Sequence, residues 1–238
     1  MAETKITVVL VVGIGGARLQ RSLETVAEIG QVLALDPTGQ ADTTALPEDV
    51  VCHSCADVDA RIRRGWILFL NEGERVSPQL RREIEAVVTD DGAPACRVAI
   101  EHRAFGGRLR SIGAPVRLVR QFPRWLGMSA EGQLAAEPGH DVTRRLRCAL
   151  EVHIVTRLTD SVAEFDRDAT VWAALSADHV GPVGVFRTVR IGASAFVRTL
   201  IGRGGNLGWG RLILSVLHGY RTVLAHTRIW EARRGSVA

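Results

Sequence analysis

Residues 66–85 read WILFLNEGERVSPQLRREIE. Five large apolar residues, Trp66–Leu70, follow one another with no polar face, the pattern of a central strand covered on both sides. The run breaks into Asn71-Glu72-Gly73-Glu74. Ser77-Pro78 then starts a helix, with an N-cap candidate followed by Pro at the first helical position. That helix spans Pro78–Val88 and turns Leu80, Ile84 and Val87-Val88 inward. Acids therefore stand where a parallel strand ends, the edge at which open α/β sheets bind ligands.

Upstream, Ile6–Val12 is a β-branched apolar run and reads as a buried strand. Gly13-Ile14-Gly15-Gly16 follows, then a helix over about Ala17–Glu28 with Leu19, Leu23 and Val26 on its inner face. Gly30 ends that helix, Gln31–Leu35 is the next strand, and Asp36-Pro37-Thr38-Gly39 is a turn. The order imitates the dinucleotide fingerprint, but its third glycine falls on Arg18, which argues against a nicotinamide or flavin cofactor. Val50–Cys52 is a short strand and Asp57–Arg64 a small helix.

Downstream, Cys96–Phe105, Arg108–Ile112 and Val116–Arg120 read as strands, with a turn at Gly106-Gly107. Residues 122–152 carry no clear period. From Asp160 the chain turns helical: Asp160–Ser176, Phe186–Ile201 and Leu207–Trp230, with a break at Arg203-Gly204-Gly205-Asn206. The last helix sets Trp, Leu and Tyr on one face, interrupted by Arg211, Arg221 and Arg228. It is too charged to span a bilayer and has the composition of a helix lying in a membrane interface, or of one packed on its neighbours.

The 238 residues carry a net charge of +4, and Lys5 is the only lysine. A basic, Arg-rich surface favours nucleotide phosphates or anionic headgroups. Aromatic residues are 5% and do not interleave with the basic ones, which excludes nucleic acid as the expected partner. The N-terminal run goes straight into a strand and is no signal peptide, so a cytoplasmic setting is expected. Cys52-His53-Ser54-Cys55 has no second pair at zinc-ribbon spacing.

Several stretches resemble the family-two glycosyltransferases. Trp66–Leu80 is similar to the family's W-[VI]-L-F-L-D-A-D-E-R-V-S-P-x-L, with Asn71-Glu72-Gly73 in place of Asp-Ala-Asp. Leu19–Val26 is similar to its first helix. Phe105, Gly107 and Arg108, with Arg103 just ahead of them, are similar to its R-x-x-x-F-x-G-R strand, and Gly113, Arg117 and Leu118-Val119 to the strand after it. His153, Arg157 and Leu158 are similar to its H-[YF]-x-Y-R-[ST]-[LIV], and Gly208–Leu224 to the tail of bacterial members.

The resemblance implies an α/β, Rossmann-like nucleotide-diphosphate-sugar domain (the GT-A fold) over 1–155 and a C-terminal helical tail, associated with the membrane interface, over 156–238. It implies inverting transfer of a sugar from a nucleotide-diphosphate donor to a lipopolysaccharide-core or lipid-linked glycan, peripherally at the inner face of the cytoplasmic membrane. An anionic membrane surface is then a partner. The alternative is a catalytically silent relative that acts as a nucleotide-sugar-binding scaffold or regulator in surface-glycan synthesis.

Asp36 and Asp42 match positions that contact the nucleotide; the alternative for Asp36 is a turn acid. Arg103, Arg108 and His153 are phosphate-binding candidates, against a solvated basic hairpin and a structural histidine. The cofactor implied is Mg²⁺ or Mn²⁺. Gly73 stands at the family's metal ligand, which leaves Glu72 and Glu74 as candidate ligands, or arginines to meet the charge. The base candidates are Glu137 and Asp141, and Glu137 is preferred.

Overall fold

A computed structural model describes residues 6–44, 46–62, 65–90, 93–104, 107–110, 114–123, 125–128, 134–137, 144–153, 158–177, 180, 184–201 and 209–235. Phe105, Gly106, Gly113, Asp141, Arg157 and the break at 203–206 lie outside the described residues.

The first half is built from β1 (Ile6–Val11), α1 (Gly16–Val26), β2 (Gln31–Leu35), β3 (Val51–Cys52), α2 (Cys55–Arg61), β4 (Trp66–Asn71), β5 (Glu74–Arg75) and α3 (Pro78–Asp90). β1 lies between β2 and β4, all parallel, with Val11 opposite both Leu35 and Asn71. Their carboxyl ends therefore share one edge. Alternate residues of β1 and β4 feed opposite faces. Val8, Leu10, Leu68 and Leu70 pack with Leu19, Leu80 and Ile84, while Val9, Val11, Ile67 and Phe69 pack on the other face. That is why neither strand shows a polar stripe.

β6 (Ala95–Ala104), β7 (Gly107–Arg110), β8 (Val116–Val119), β9 (Trp125–Met128), β10 (Leu134–Glu137) and β11 (Arg144–His153) follow. The sheet runs β3-β2-β1-β4-β8-β6-β11-β5, with β7 beside β6, and β9 and β10 form a separate hairpin. β8 is antiparallel to β4 and β6, and β11 is parallel to β6. β5 crosses the end of the sheet to pair antiparallel with β11.

Three helices complete the chain: α4 (Leu158–Ser176), α5 (Val185–Leu200) and α6 (Trp209–Gly235). Ala169, Val171, Trp172 and Leu175 of α4 and Ala225 of α6 belong to the same core as Val9, Ile67 and Phe69. The segment from 156 on thus shares its core with the sheet. The α/β, Rossmann-like architecture with a helical C-terminal part is the one expected.

Two local expectations change. β9, β10 and β11 fill the stretch without a period; β11 is hard to read because Arg144, Arg145 and Arg147 crowd it and its register shifts between Arg145 and Ala149. The expected apolar face of α6 is also rotated. Trp209, Val216 and Tyr220 are exposed, while Leu214, Leu217, His218, Arg221, Thr222 and Ile229 are buried. α6 is therefore a packed helix, with α4 and α5 as its neighbours. Among the described residues no helix is long and apolar enough to cross a membrane.

Candidate functional site

A cleft opens at the carboxyl ends of β1 and β4. α1 supplies Arg18 and Arg21; the β4–β5 turn supplies Asn71 to Arg75. Ile100 and His102 of β6, Val152 and His153 of β11, Glu164, Phe165 and Asp168 of α4, and His218 and Arg221 of α6 close the other walls.

The turn is set by its own acids. The Glu72 carboxylate accepts the amides of Gly13 (3.1 Å), Ile14 (3.0 Å) and Gly15 (2.8 Å). The glycine-rich turn after β1 thus wraps an internal carboxylate in a nest of N–H groups. Gly15 has φ +76°, and a Cβ there would collide with the Asp42 backbone. Glu74 is bound on both oxygens: Oε1 takes Arg117 Nη2 at 2.7 Å and Oε2 takes the Asn71 amide at 2.8 Å. Glu72 and Glu74 are each 3% exposed and Arg117 is 0%. Burial pushes both carboxyls up, opposed by Arg18 at Glu72 and by Arg117 at Glu74.

These two acids do not fit a divalent cation. A hard ion takes carboxylate oxygens, and all four oxygens here already accept N–H donors. Among the described residues no group of three or more His, Cys, Asp or Glu is arranged to hold a metal. In this arrangement Glu72 anchors the glycine turn and Glu74 neutralises a buried arginine.

A built-in cation stands at the same turn. Gly73 has φ +83°, and a Cβ placed on it would lie 3.1 Å from Arg18 Nε. Arg18 Nη2 donates to the Glu72 carbonyl at 3.1 Å. The guanidinium also lies 3.7 Å from Glu72, 3.6 Å from Glu164 and 3.8 Å from Asp168. Arg18, which breaks the dinucleotide fingerprint, is therefore the cation of the cleft floor.

Asp36 is 2% exposed and organises its own loop. Its Oδ1 accepts Thr38 N (3.1 Å), Thr38 Oγ1 (2.9 Å) and Gly39 N (2.9 Å), and its Oδ2 accepts Ala41 N (3.0 Å). Asp42 is exposed. Its Oδ1 accepts Thr44 N and Oγ1, and its backbone is bonded to Ile14 and Gly16. The hydrogen bond from the Thr44 hydroxyl holds its carboxyl below the usual range.

The structure brings Arg103, Arg108 and His153 together. Arg103 Nη2 lies 2.9 Å from Glu151 and its Nε 3.8 Å from Glu101, Arg108 lies 3.7 Å from Glu101, and His153 Nε2 lies 3.7 Å from Glu151. Only His153 of the three lines the cleft. Glu137 stands exposed on β10, opposite Trp125, and does not line it.

Sequence reasoning missed most of the wall. Glu164 and Asp168 are four apart on α4, the spacing of one helix face. Asp168 lies 3.4 Å from Arg221. His102 and His218 stack edge to face at 5.1 Å, and Phe165 meets His218 at 5.3 Å. Arg221 Nη2 lies 3.2 Å from His218 Nδ1, and arginine only donates, so Nδ1 accepts and the ring proton sits on Nε2. Burial, then Arg221, holds His102 down at about 4, and the same causes hold His218 well below its usual value. The inner wall is thus uncharged imidazole beside a neutralised Arg–Asp pair. At the mouth, Arg21 and Arg75 have no acidic partner among the described residues.

No family model matches the sequence, and neither does any curated protein. Among solved structures, the chain is similar to S. aureus TarS 1–349, at 12% identity and a TM-score of 0.40, over 97% of this chain and 92% of that chain. The same TarS fragment in complex with UDP-GlcNAc gives 12% identity and a TM-score of 0.41 over the same shares. In complex with UDP it gives 12% and 0.40.

Proposed function

We propose that this protein is a glycosyltransferase of the GT-A type. It takes a sugar from a nucleotide-diphosphate donor in the cleft and passes it, with inversion, to a hydroxyl of a lipopolysaccharide-core or lipid-linked glycan. The observation that carries this reading is the placement of Arg18, Arg21 and Arg75 around the β4–β5 turn, at the carboxyl edge of the parallel strands. The departing diphosphate needs positive charge as it leaves. Guanidinium forks match phosphate geometry and stay charged at any working pH. Arg21 and Arg75 receive the diphosphate, and Arg18, already compensated, orients the turn beneath it. The acceptor proton goes to Glu164, an acid of the cleft wall, rather than to Glu137. A base must come within hydrogen-bond reach of the hydroxyl, and Glu137 is outside the cleft.

A second reading is favoured by the saturation of Glu72, Glu74 and Asp36 with internal hydrogen bonds: a silent relative that binds a nucleotide sugar as a scaffold or regulator. One experiment separates the two. The purified chain is titrated calorimetrically with UDP, ADP and GDP, and the nucleotide that binds is then supplied as its sugar conjugate with a lipid-linked acceptor. Binding with product formation supports the transferase, and binding without product supports the scaffold. A folded protein that binds none of the three has neither function.

A further inference from the structure

Two ring nitrogens of the inner wall, His102 Nδ1 and His218 Nε2, have no hydrogen-bond partner among the described residues. His102 is 9% exposed and His218 3%, and both rings line the cleft. A buried polar atom without a partner costs free energy, so an unmatched pair at the end of a ligand-sized cleft needs a reason. Both rings are uncharged at neutral pH, because burial and then Arg221 hold them low.

The two rings are fixed from opposite sides. Arg221 links Asp168, 3.4 Å from its Nη1, to His218 Nδ1, 3.2 Å from its Nη2. That chain orients the His218 ring and leaves Nε2–H as a donor with nothing to receive it. His102 comes from β6, with Ile100 two residues before it on the same face of the strand. Phe165 meets the His218 ring edge to face at 5.3 Å, and the two imidazoles meet at 5.1 Å. Aromatic and aliphatic carbon therefore frames two unmet polar atoms.

We propose that His102 and His218 are specificity-determining residues that read hydroxyl groups of the donor sugar, and so select an uncharged sugar over an acidic one. The inference rests on the cleft's binding a nucleotide-diphosphate sugar. With the diphosphate at Arg21 and Arg75, the other end of the donor reaches the inner wall. A hydroxyl donates one hydrogen bond and accepts two, so it receives the His218 Nε2 proton and serves His102 Nδ1 in either tautomer. A carboxylate only accepts. It would also give up its water for a wall where Arg221 is already paired with Asp168. A site built to bond a hydroxyl discriminates through the groups left unmatched when that hydroxyl is missing.

UDP, ADP or GDP, whichever the purified chain binds, is supplied bare and as its glucose, galactose, N-acetylglucosamine and glucuronic acid conjugates, and calorimetry gives each Kd. The tightest neutral conjugate is expected to bind about tenfold or more tighter than the glucuronic acid conjugate. His102→Phe and His218→Phe should each raise the Kd of that neutral conjugate by about tenfold and leave the bare nucleotide within about twofold. His102→Asn and His218→Gln place an amide near Nδ1 and Nε2 respectively and should restore most of the loss, which a merely structural role for the rings does not predict. Glucuronic acid bound as tightly as the neutral sugars overturns the proposal while the nucleotide cleft stands. So do Phe variants that weaken bare and conjugated nucleotide alike, or neither. The wild-type comparison decides the matter even if a Phe variant fails to fold. A folded wild-type protein that binds no nucleotide overturns both the proposal and the reading beneath it.

Discussion

Arg117 Nη2 lies 2.7 Å from Glu74 Oε1, inside the protein beneath the cleft turn. The two charges reach each other from β8 and β5, which are not adjacent in the sheet. Breaking a buried pair from one side leaves an uncompensated charge. Glu74→Ala should therefore lower unfolding stability by about 3–5 kcal/mol, read from urea denaturation. Glu74→Met combined with Arg117→Met should recover most of that loss, since a well-packed apolar pair replaces a buried ion pair at little cost. Full stability in the single variant would show that Glu74 is free to bind something else.

Nucleotide affinity should not depend on a divalent cation. EDTA and Mn²⁺ are expected to leave the calorimetric Kd of the bound nucleotide within about twofold of each other, since the turn acids are engaged by N–H donors. Arg21→Ala and Arg75→Ala should each weaken binding by about tenfold, the loss of a charge-assisted hydrogen bond of roughly 1.5 kcal/mol. Strong Mn²⁺ dependence would mean that Glu72 or Glu74 leaves its partners when the nucleotide arrives.

Glu164→Gln should separate binding from turnover. Loss of a general base costs about 10²–10⁴-fold in kcat, while the Kd of the nucleotide stays as it was. Radiolabelled sugar transfer against calorimetry gives the comparison. If Glu137→Gln instead abolishes transfer, the acceptor approaches from the hairpin side and the base assignment moves there.

The inner wall should make the fold acid-sensitive. His102 titrates at about 4 in the folded protein and His218 also lies low, through burial and then the neighbouring Arg221. The unfolded chain takes up those protons near pH 6.5. Between the two values the unfolded state binds more protons. Stability from this source is therefore complete above about pH 6.5 and is lost as pH falls toward 4, at up to about 1.4 kcal/mol per pH unit for each histidine. Urea midpoints at pH 7 and pH 5 measure it, and the combined His102→Gln and His218→Gln variant should show a shallower fall. A midpoint that does not move in the wild-type protein would place both rings in contact with solvent.

Gly192 and Gly219 set how closely α5 approaches α6. A Cβ on Gly219 would lie 3.2 Å from the Gly192 carbonyl, and one on Gly192 would collide with Val223. Gly192→Val should cost about 1–3 kcal/mol by overpacking and should lower the thermal midpoint. An unchanged midpoint would show that α5 moves off α6 freely.

The doubly covered strands are legible in the order of the residues alone. Ile6–Val11 and Trp66–Leu70 have no polar stripe, and periodicity is a local property that survives without knowledge of the partner. That order likewise located the helices over 78–88, 160–176 and 186–201, and it placed acids at the sheet edge where the cleft lies. β11 escaped because three arginines and a register shift erase the alternation a half-buried strand needs. How each charge is used is settled by packing in three dimensions. Glu72, Glu74 and Asp36 read as ligands because they are carboxylates at a ligand-binding edge. Whether their oxygens are free depends on the amides of Gly13–Gly15, on Arg117 and on the loop at 38–41, and for Glu72 and Glu74 the main partners lie 43 to 59 residues away. Arg18, Glu164, Asp168, His218 and Arg221 come from three different helices and meet only because α4 and α6 pack over the end of the sheet. A side chain's type is written in the chain, but its electrostatic partners are fixed by close packing in three dimensions, where burial makes an unmatched charge too costly to leave alone.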